Sequence, residues 1–281
     1  SHAVSYSILS FQCAWLLNYY PECWAAAFLD KEPETRKEAA IGLALKHGFE
    51  IENININTST SQWEIDASGK TLIQPLSSIK GLGEKAIEQI ITNRPFNTVE
   101  ELLFNKEVVY SKLNKRGLDV LCRSGALDDL VDERFNGCKH FWMAAVQDRP
   151  KNPKKLRENI ELYSPEKDFS KEEKIEYITS LTGLFPFDLV LTNQIREAIE
   201  RYRCPPLGKF DKALGYAWFI PREVVSKQTK NDKTFWRVKV IDDTSTATTI
   251  RVWGVKDDTP KPEINRPYVA KLSYNEDWGY S

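Results

Sequence analysis

The residues of this sequence best suited to binding chemistry lie in one short segment, residues 76–86. A short helix, a G-x-G turn and a second helix follow one another there. Glycines let a turn adopt open backbone angles and bring bare amides close to a partner. The N-terminus of the second helix adds its positive dipole end. The pattern predicts a phosphate site, and the alternative is a tight turn between packed helices. The candidate residues are Lys80, Gly81, Leu82, Gly83 and Lys85.

A second and weaker copy of this pattern occupies residues 113–126. Lys115 and Arg116 stand where the turn would meet a phosphate. This turn lacks the second glycine, so a purely scaffolding role explains the copy equally well.

The C-terminal quarter of the chain places aromatic and basic side chains together on predicted strands. Successive residues of a strand point to opposite faces, which puts Trp236 inside and Phe235 outside. Exposed aromatics beside cations suit the stacking of unpaired bases, and the alternative is a solvated strand face. The candidates for single-stranded nucleic acid are Lys227, Lys230, Lys233, Phe235, Arg237, Lys239, Arg251 and Trp253.

Other chemistries find little support in the sequence. Cys138 and His140 stand two apart, but no second pair at zinc-ligand spacing accompanies them. The carboxylate pair Asp242-Asp243 falls at a predicted turn, and neighbouring strand residues point apart. No phosphate loop of the Walker type and no nucleophile elbow is present. We therefore expect no catalytic residue, no metal and no cofactor on this chain.

The predicted elements form an α+β multidomain protein. Three helices, of which the second begins at Pro21, a small β-hairpin at 63–73 and short helical pieces up to residue 130 come first. Longer polar helices follow, one with capping-box spacing at Ser170 and Glu173 and one over residues 188–203. Pro205 and Pro206 break the chain. Five short strands are predicted after them, over residues 213–220, 224–227, 234–242, 248–254 and 268–274, which suggests an oligonucleotide-binding (OB) barrel. The predicted domains are 1–58, 59–135, 136–205 and 206–281.

Composition limits the class of protein. The 281 residues are 41% hydrophobic and 11% aromatic with a net charge of −1, which excludes global disorder. No run approaches the ~20 apolar residues of a membrane span. Five cysteines are an odd and sparse count that does not fit a disulfide scaffold, so a cytoplasmic setting is expected. Residues 206–281 carry 13 basic and 10 acidic side chains, so a polyanion would meet this end first.

The opening residues 1–16, with Tyr20-Pro21 after them, resemble a finger-domain segment of the bacterial replicative DNA polymerase III alpha subunit. The resemblance continues in order through Ile79–Ala86, Leu113–Arg116 and Ser124–Asp128, and then through the strand pattern from residue 240 to residue 253. It covers nearly the whole chain, although residues 136–205 match only loosely. An ordered series of motifs is more specific than any one of them.

This resemblance implies a fold and a set of roles. It implies a fingers segment, a tandem helix-hairpin-helix that holds duplex DNA by its backbone, and an OB barrel that meets single-stranded template. Ser1, His2 and Tyr6 become candidates near the incoming nucleotide, with helix packing as the alternative role of Tyr6.

The chain also departs from the family. The family's catalytic aspartates belong to a palm domain that is not in this sequence, so the resemblance implies a palm-bearing partner chain that holds Mg²⁺. Leu184-Phe185 lacks the glutamine that usually precedes the apolar pair of a sliding-clamp motif. The expected setting is a split polymerase of a bacterial cell or a phage-infected host. A stand-alone DNA-binding or repair module and a protein-binding scaffold remain alternatives.

Ser1 leaves the origin of the chain's start open. Protein splicing requires Ser, Thr or Cys after an intein, because a side-chain nucleophile accepts the acyl group. A natural start and an engineered one explain Ser1 equally well.

Overall fold

The computed structural model describes residues 2–244, 247–256 and 258–281. Its chain divides into two compact units, one of residues up to 40 with 49–185, the other of residues 41–48 with 186–281. The four-part division expected from the sequence stays a prediction. Over the described ranges, no helix has both the length and the apolar character that crossing a membrane requires.

Three helices open the chain, as their apolar spacing predicts. They are α1 (His2–Tyr19), α2 (Pro21–Lys31) and α3 (Lys37–Lys46), with a 3₁₀ turn at Glu34–Arg36 before the last. Pro21 occupies the first turn of α2, where its missing N–H costs nothing. None of the α1 side chains is buried. An amphipathic helix that packs on a core buries one of its faces, and α1 does not.

A small three-stranded sheet follows in the first unit. Its strands are β1 (Glu50–Glu52), β2 (Glu64–Ile65) and β3 (Thr71–Ile73). The predicted hairpin is confirmed, because β2 pairs with β3 antiparallel. The sequence pattern missed β1, which pairs with β3 in parallel over only three residues. Such a short strand carries too few residues to show a period.

Short helices build the main core of the first unit. They are α4 (Glu84–Asn93), α5 (Val99–Phe104), α6 (Lys115–Arg123), α7 (Cys138–Phe141), a π-helical turn (Trp142–Gln147), α8 (Pro153–Leu162) and α9 (Lys171–Thr182). Leu76, Ile90, Leu113 and Leu121 are fully buried in this core. The capping box expected at the start of α9 is present, since Ser170 and Glu173 bond each other's backbone amides.

The second unit combines two helices with a six-stranded mixed sheet. The helices are α10 (Phe187–Val190) and α11 (Asn193–Arg201), where the sequence had suggested one continuous helix. The strands are β4 (Tyr216–Gln228), β5 (Thr234–Ile241), β6 (Thr248–Val252), β7 (Tyr268–Lys271), β8 (Tyr274–Asn275) and β9 (Gly279–Tyr280). They follow the order β7-β4-β5-β6-β9-β8.

The expected strand bounds need two corrections. Residues 268–274 were predicted as one strand, but β7 ends at Lys271 and Tyr274 begins the separate strand β8. Residues 213–220 and 224–227 were predicted as two strands, but they form the single strand β4. The register shifts between Pro221 and Glu223, so a bulge rather than a turn lies where the proline interrupts the pattern. The first part of β4 pairs with β7 and the rest with β5.

Alternation on β5 sorts its side chains as predicted. Trp236, Val238 and Val240 are buried in a core shared with Leu207 and Ile250. The residues between them on the strand, Arg237 and Lys239, are exposed. The sequence therefore identified both faces of this strand correctly.

We predict that Trp236→Ala lowers the free energy of unfolding of this unit by about 3–5 kcal/mol, because loss of the indole ring leaves a cavity in a packed core. Trp253→Ala serves as the matched control, since Trp253 is 49% exposed and stacks on a single ring, worth about 0.5–1.5 kcal/mol. Urea denaturation of both variants checks the difference. A larger loss of stability for Trp253→Ala would show that the assignment of the buried and exposed faces is reversed.

Candidate nucleic-acid interface

The first hairpin is built around one glycine in the left-handed region. Leu76–Ser78 form a 3₁₀ turn rather than a full helix, and Gly81 follows with φ +88°. Gly83 is the N-cap of α4 with φ −80° and ψ 151°, angles that any residue adopts. The sequence argument required open angles at both glycines. It was right for Gly81 and wrong for Gly83.

The turn presents some of its backbone amides and uses others internally. The amide of Lys80 donates to the Leu181 carbonyl at 2.9 Å, and that of Leu82 donates to the Ile79 carbonyl at 3.1 Å. Among the described residues, the amides of Gly81 and Gly83 have no acceptor. The Leu82 amide is thus engaged within the turn and its side chain is buried, and the DNA contact predicted for Leu82 stays a prediction.

The second hairpin carries cations at the start of α6. Asn114 is the N-cap, and its side chain accepts from the Gly117 amide at 3.0 Å. Lys115 and Arg116 follow in the first turn and are exposed, and that turn contains no acidic residue. Cations at a helix N-terminus oppose the helix dipole. The arrangement costs the helix stability unless an anion lies nearby.

The two hairpins meet through their glycines. A side chain on Gly81 would begin 3.5 Å from the Arg116 guanidinium and 3.8 Å from Val120. A side chain on Gly117 would begin 3.2 Å from Leu113 and 3.7 Å from Leu82. Arg116 of the second hairpin thus covers the turn of the first. Lys80 and Lys85 are both exposed on that first hairpin.

The exposed sheet face of the second unit brings most of its predicted residues together. Phe235 and Trp253 stack with ring centroids 4.6 Å apart and planes 29° apart. Arg237 of β5 lies directly opposite Arg251 of β6, and like charges in that position destabilise a strand pair. An anion bound between the two arginines would relieve this repulsion.

Lys239 is less available than its neighbours on that face. Its ammonium pairs with the Glu223 carboxylate at 2.5 Å, and this bond holds the pKa of Glu223 below its usual range. Lys227 lies one residue before the end of β4, opposite Phe235. Lys230 and Lys233 are exposed on the turn between β4 and β5.

The β8–β9 hairpin exposes aromatic residues that the sequence pattern did not identify as candidates. Trp278 is 62% exposed at its turn, and Tyr274 is 41% exposed with the Lys212 ammonium 5.1 Å from its ring. The strands of this hairpin have two residues each, too few for alternation to assign a face. A run of aromatics near the end of the chain was the only signal.

The candidates near the nucleotide lie on α1. His2 and Tyr6 are exposed and their rings stack with centroids 6.4 Å apart. Tyr6 is 67% exposed, so it does not fill a core position among the described residues. Ser1 lies outside the described residues.

The weak zinc-ligand candidate His140 is engaged in hydrogen bonds, and the weak clamp-motif pair Leu184-Phe185 is buried. The imidazole of His140 accepts from the Asn136 amide at 2.9 Å, and its other ring nitrogen lies 2.9 Å from the Ile160 carbonyl. Leu184 and Phe185 are 6% and 5% exposed, so the apolar pair of the clamp motif is not presented. Within the described ranges, no group of three or more His, Cys, Asp or Glu side chains could hold a metal ion.

Comparison with known families agrees with the geometry of the two hairpins. Residues 48–136 match the family model described as the helix-hairpin-helix motif. The first unit therefore contains a domain of that class.

The relatives point to one group of proteins. DNA polymerase III subunit alpha of Pseudomonas aeruginosa is 34% identical over 136 residues, 46% of this chain and 11% of the relative. The subunits of Xylella fastidiosa (strain Temecula1) and Thermus aquaticus are 31% and 30% identical, over 48% and 47% of this chain. The chain spans about an eighth of the length of such relatives. The resemblance predicted from the ordered motifs is thereby confirmed over the middle of the chain.

We predict that Gly81→Ser destabilises the first unit by about 1–2 kcal/mol, the cost of a left-handed conformation for an L-residue. Gly83→Ser is the matched control, because that N-cap has ordinary angles and nothing within 4 Å of a new Cβ. Thermal unfolding of both variants measures the difference. Equal effects would show that the turn does not depend on the conformation of Gly81.

Proposed function

We propose that this chain is the DNA-gripping part of a replicative DNA polymerase. Its paired hairpins hold the duplex primer-template by the phosphate backbone, and its second unit holds single-stranded template. The observation that carries the proposal is the contact of Arg116 with the Gly81 turn, which joins two hairpins into one cationic surface. The similarity to DNA polymerase III alpha subunits supports the replicative context.

The duplex role follows from the chemistry of the hairpins. Open amides of Gly81 and Gly83, together with the cations Lys80, Lys85 and Arg116, offer hydrogen bonds and charge to phosphate oxygens. Contacts of this kind position a protein on DNA without reading its sequence. A polymerase needs that property, since it copies every template.

The single-strand role rests on the sheet face of the second unit. Stacked Phe235 and Trp253 beside Arg237 and Arg251 combine a base platform with phosphate-binding charge. We propose that the six-stranded sheet of this unit is a variant of the five-stranded OB barrel that the sequence predicts. The strand β4 supports it, because a bulged strand that pairs with a different partner on each half is how a sheet turns a barrel corner.

A palm domain outside these 281 residues would supply the carboxylates that hold Mg²⁺. Helix α1 supports such a partner, because its 18 residues contain no charged Asp, Glu, Lys or Arg and expose Phe11 and Tyr6 by 70% and 67%. A helix that lacks charged residues and exposes large apolar side chains is stable when protein covers it. His2 and Tyr6 would then lie near the nucleotide. Primer extension by this chain alone in magnesium would contradict this part of the proposal.

The second candidate is a stand-alone DNA-binding or repair module. It explains both cationic surfaces equally well, but it leaves the apolar surface of α1 uncovered in water. A pull-down from the native source decides between the two, since only the first requires a palm-bearing polypeptide to co-purify.

We predict that Lys85→Ala with Lys115→Ala weakens duplex binding by the full chain to the same extent on all DNA sequences. Each lost phosphate contact reduces the slope of log K against log salt concentration by about 0.9. The loss of two contacts should therefore reduce the slope by about 2. Lys70→Ala with Lys167→Ala is the matched control, because both of these lysines are exposed in the same unit. Fluorescence anisotropy across a salt series gives both numbers, and a control that behaves identically would remove the hairpins from the interface.

On the second unit, we predict that Trp253→Ala weakens single-strand binding about ten-fold or more with little change in salt slope, since a stacked base is worth about 1–3 kcal/mol. Lys227, Lys230 and Lys233 changed together to Ala should flatten the slope by about 2. Anisotropy with a labelled oligonucleotide tests both. Unchanged affinity in Trp253→Ala would return the aromatic pair to a structural role.

A further inference from the structure

A cleft in the first unit, at residues 148–158, lies outside every residue assigned above. Its volume is about 350 Å³. The seven lining residues are Asp148, Arg149, Lys151, Asn152, Lys154, Lys155 and Glu158. All seven are polar or charged, whereas a pocket for an apolar small molecule is lined mainly by hydrophobic side chains. The cleft suits a charged and well-hydrated ligand.

Positive charge dominates this 148–158 cleft. Four of its lining side chains are cations and two are carboxylates. The Asp148 carboxylate already accepts from the Tyr163 hydroxyl at 3.1 Å. Among the described residues, no carboxylate lies within ion-pair distance of any of the four cations. The ligand that balances the cleft is therefore an anion.

Arg149 makes the charge imbalance costly. Its guanidinium donates to the Leu113 carbonyl at 2.5 Å and lies 4.4 Å from the centre of the Tyr110 ring. Burial lowers the pKa of this guanidinium from its ordinary value. A partly buried cation without a carboxylate partner is destabilising, and an anion in the cleft would offset that cost.

Hydrogen bonds hold the cleft in one shape. The fully buried Asn159 side chain donates to the carbonyls of Asp148 at 2.7 Å and Ala144 at 3.0 Å. The Asn152 side chain accepts from the Lys155 amide at 2.8 Å. A site that is already ordered loses little entropy when its ligand binds.

The cleft is also fixed to the second hairpin. Leu113, which accepts from Arg149, directly precedes Asn114, the N-cap of α6. Lys115 and Arg116 begin that helix, so the bond from Arg149 joins the cleft to the segment that carries the hairpin cations. A ligand with evenly repeated negative charge, such as the backbone of duplex DNA, can contact both together.

We propose that the 148–158 cleft is a second contact for the backbone of duplex DNA, in which Lys151, Lys154 and Lys155 bind phosphates beyond those held by the hairpins. This proposal rests on the proposed function and extends its duplex site. It adds three phosphate contacts that neither the helix-hairpin-helix match nor the motif pattern includes.

The test compares four forms of the full chain on a duplex of about two helical turns. They are the wild type, the cleft variant Lys151→Ala/Lys154→Ala/Lys155→Ala, the hairpin variant Lys85→Ala/Lys115→Ala, and a control, Lys70→Ala/Lys167→Ala/Lys171→Ala. The control removes the same charge from exposed sites of the same unit. Anisotropy between about 50 and 200 mM salt should show the cleft variant's slope flattened by about 2.7 and its affinity lowered at least ten-fold at the lower salt.

A second readout locates the contact directly. Acetylation of the wild type, followed by mass spectrometry, should show Lys151, Lys154 and Lys155 protected by the duplex and not by inorganic phosphate. Protection by phosphate alone would make the cleft a free-anion site and overturn the proposal.

The outcomes separate the two proposals. If the cleft variant behaves like the control while the hairpin variant loses affinity, the cleft proposal is wrong and the duplex role of the hairpins stands. If neither variant differs from the control, both proposals are wrong. Circular dichroism and thermal unfolding of each variant exclude loss of fold as the cause.

Discussion

The close approach of the two hairpins at Gly81 and Gly117 is the constraint on which the rest of the first unit depends. Leu113 and Leu82 come within 3.2 and 3.7 Å of the point where a Gly117 side chain would start. A side chain at Gly117 would have to displace Leu113 of its own hairpin and would lie in contact with Leu82 of the other. Because they stay together, Arg116 reaches the Gly81 turn, and the cations of two separate sequence segments form one surface.

The core beneath the hairpins explains how a surface with unfavourable positive charges can remain folded. Lysine and arginine residues at the start of α6 oppose the helix dipole, and Arg149 is partly buried beside Tyr110. Neither arrangement is favourable by itself. Buried leucines beneath the hairpins stabilise the fold that holds these charges in place.

Under the proposed function, the two units would recognise different forms of DNA with different geometry. The hairpins offer amides and charge but few exposed aromatic side chains, which suits a backbone whose bases are stacked inside a duplex. The sheet of the second unit offers the stacked pair Phe235 and Trp253, which suits bases that are free to stack. Helix α1 is different from both, since it has no Asp, Glu, Lys or Arg and exposes several large apolar side chains, a surface that suits protein more than DNA.

The sequence by itself determined the local features of this protein. Apolar spacing located the first three helices, Pro21 and the capping box at Ser170 marked helix starts, and alternation separated Trp236 from Phe235. Each of these depends on residues near one another in the chain. The G-x-G motif and the ordered series of motifs likewise led to the helix-hairpin-helix class and to the DNA polymerase III alpha resemblance.

Only the tertiary structure decided which of these features meet. It merged two predicted strands into β4, because a bulge at Pro221 continues a sheet that the sequence pattern interrupts. It showed that Leu82 is buried and that Gly83 has ordinary angles, since packing and hydrogen bonding assign those roles. It also placed Arg116 over Gly81 and Arg149 beside Leu113. Contacts between residues 35 or 36 positions apart leave no periodic trace in a sequence, and folding alone brings them together.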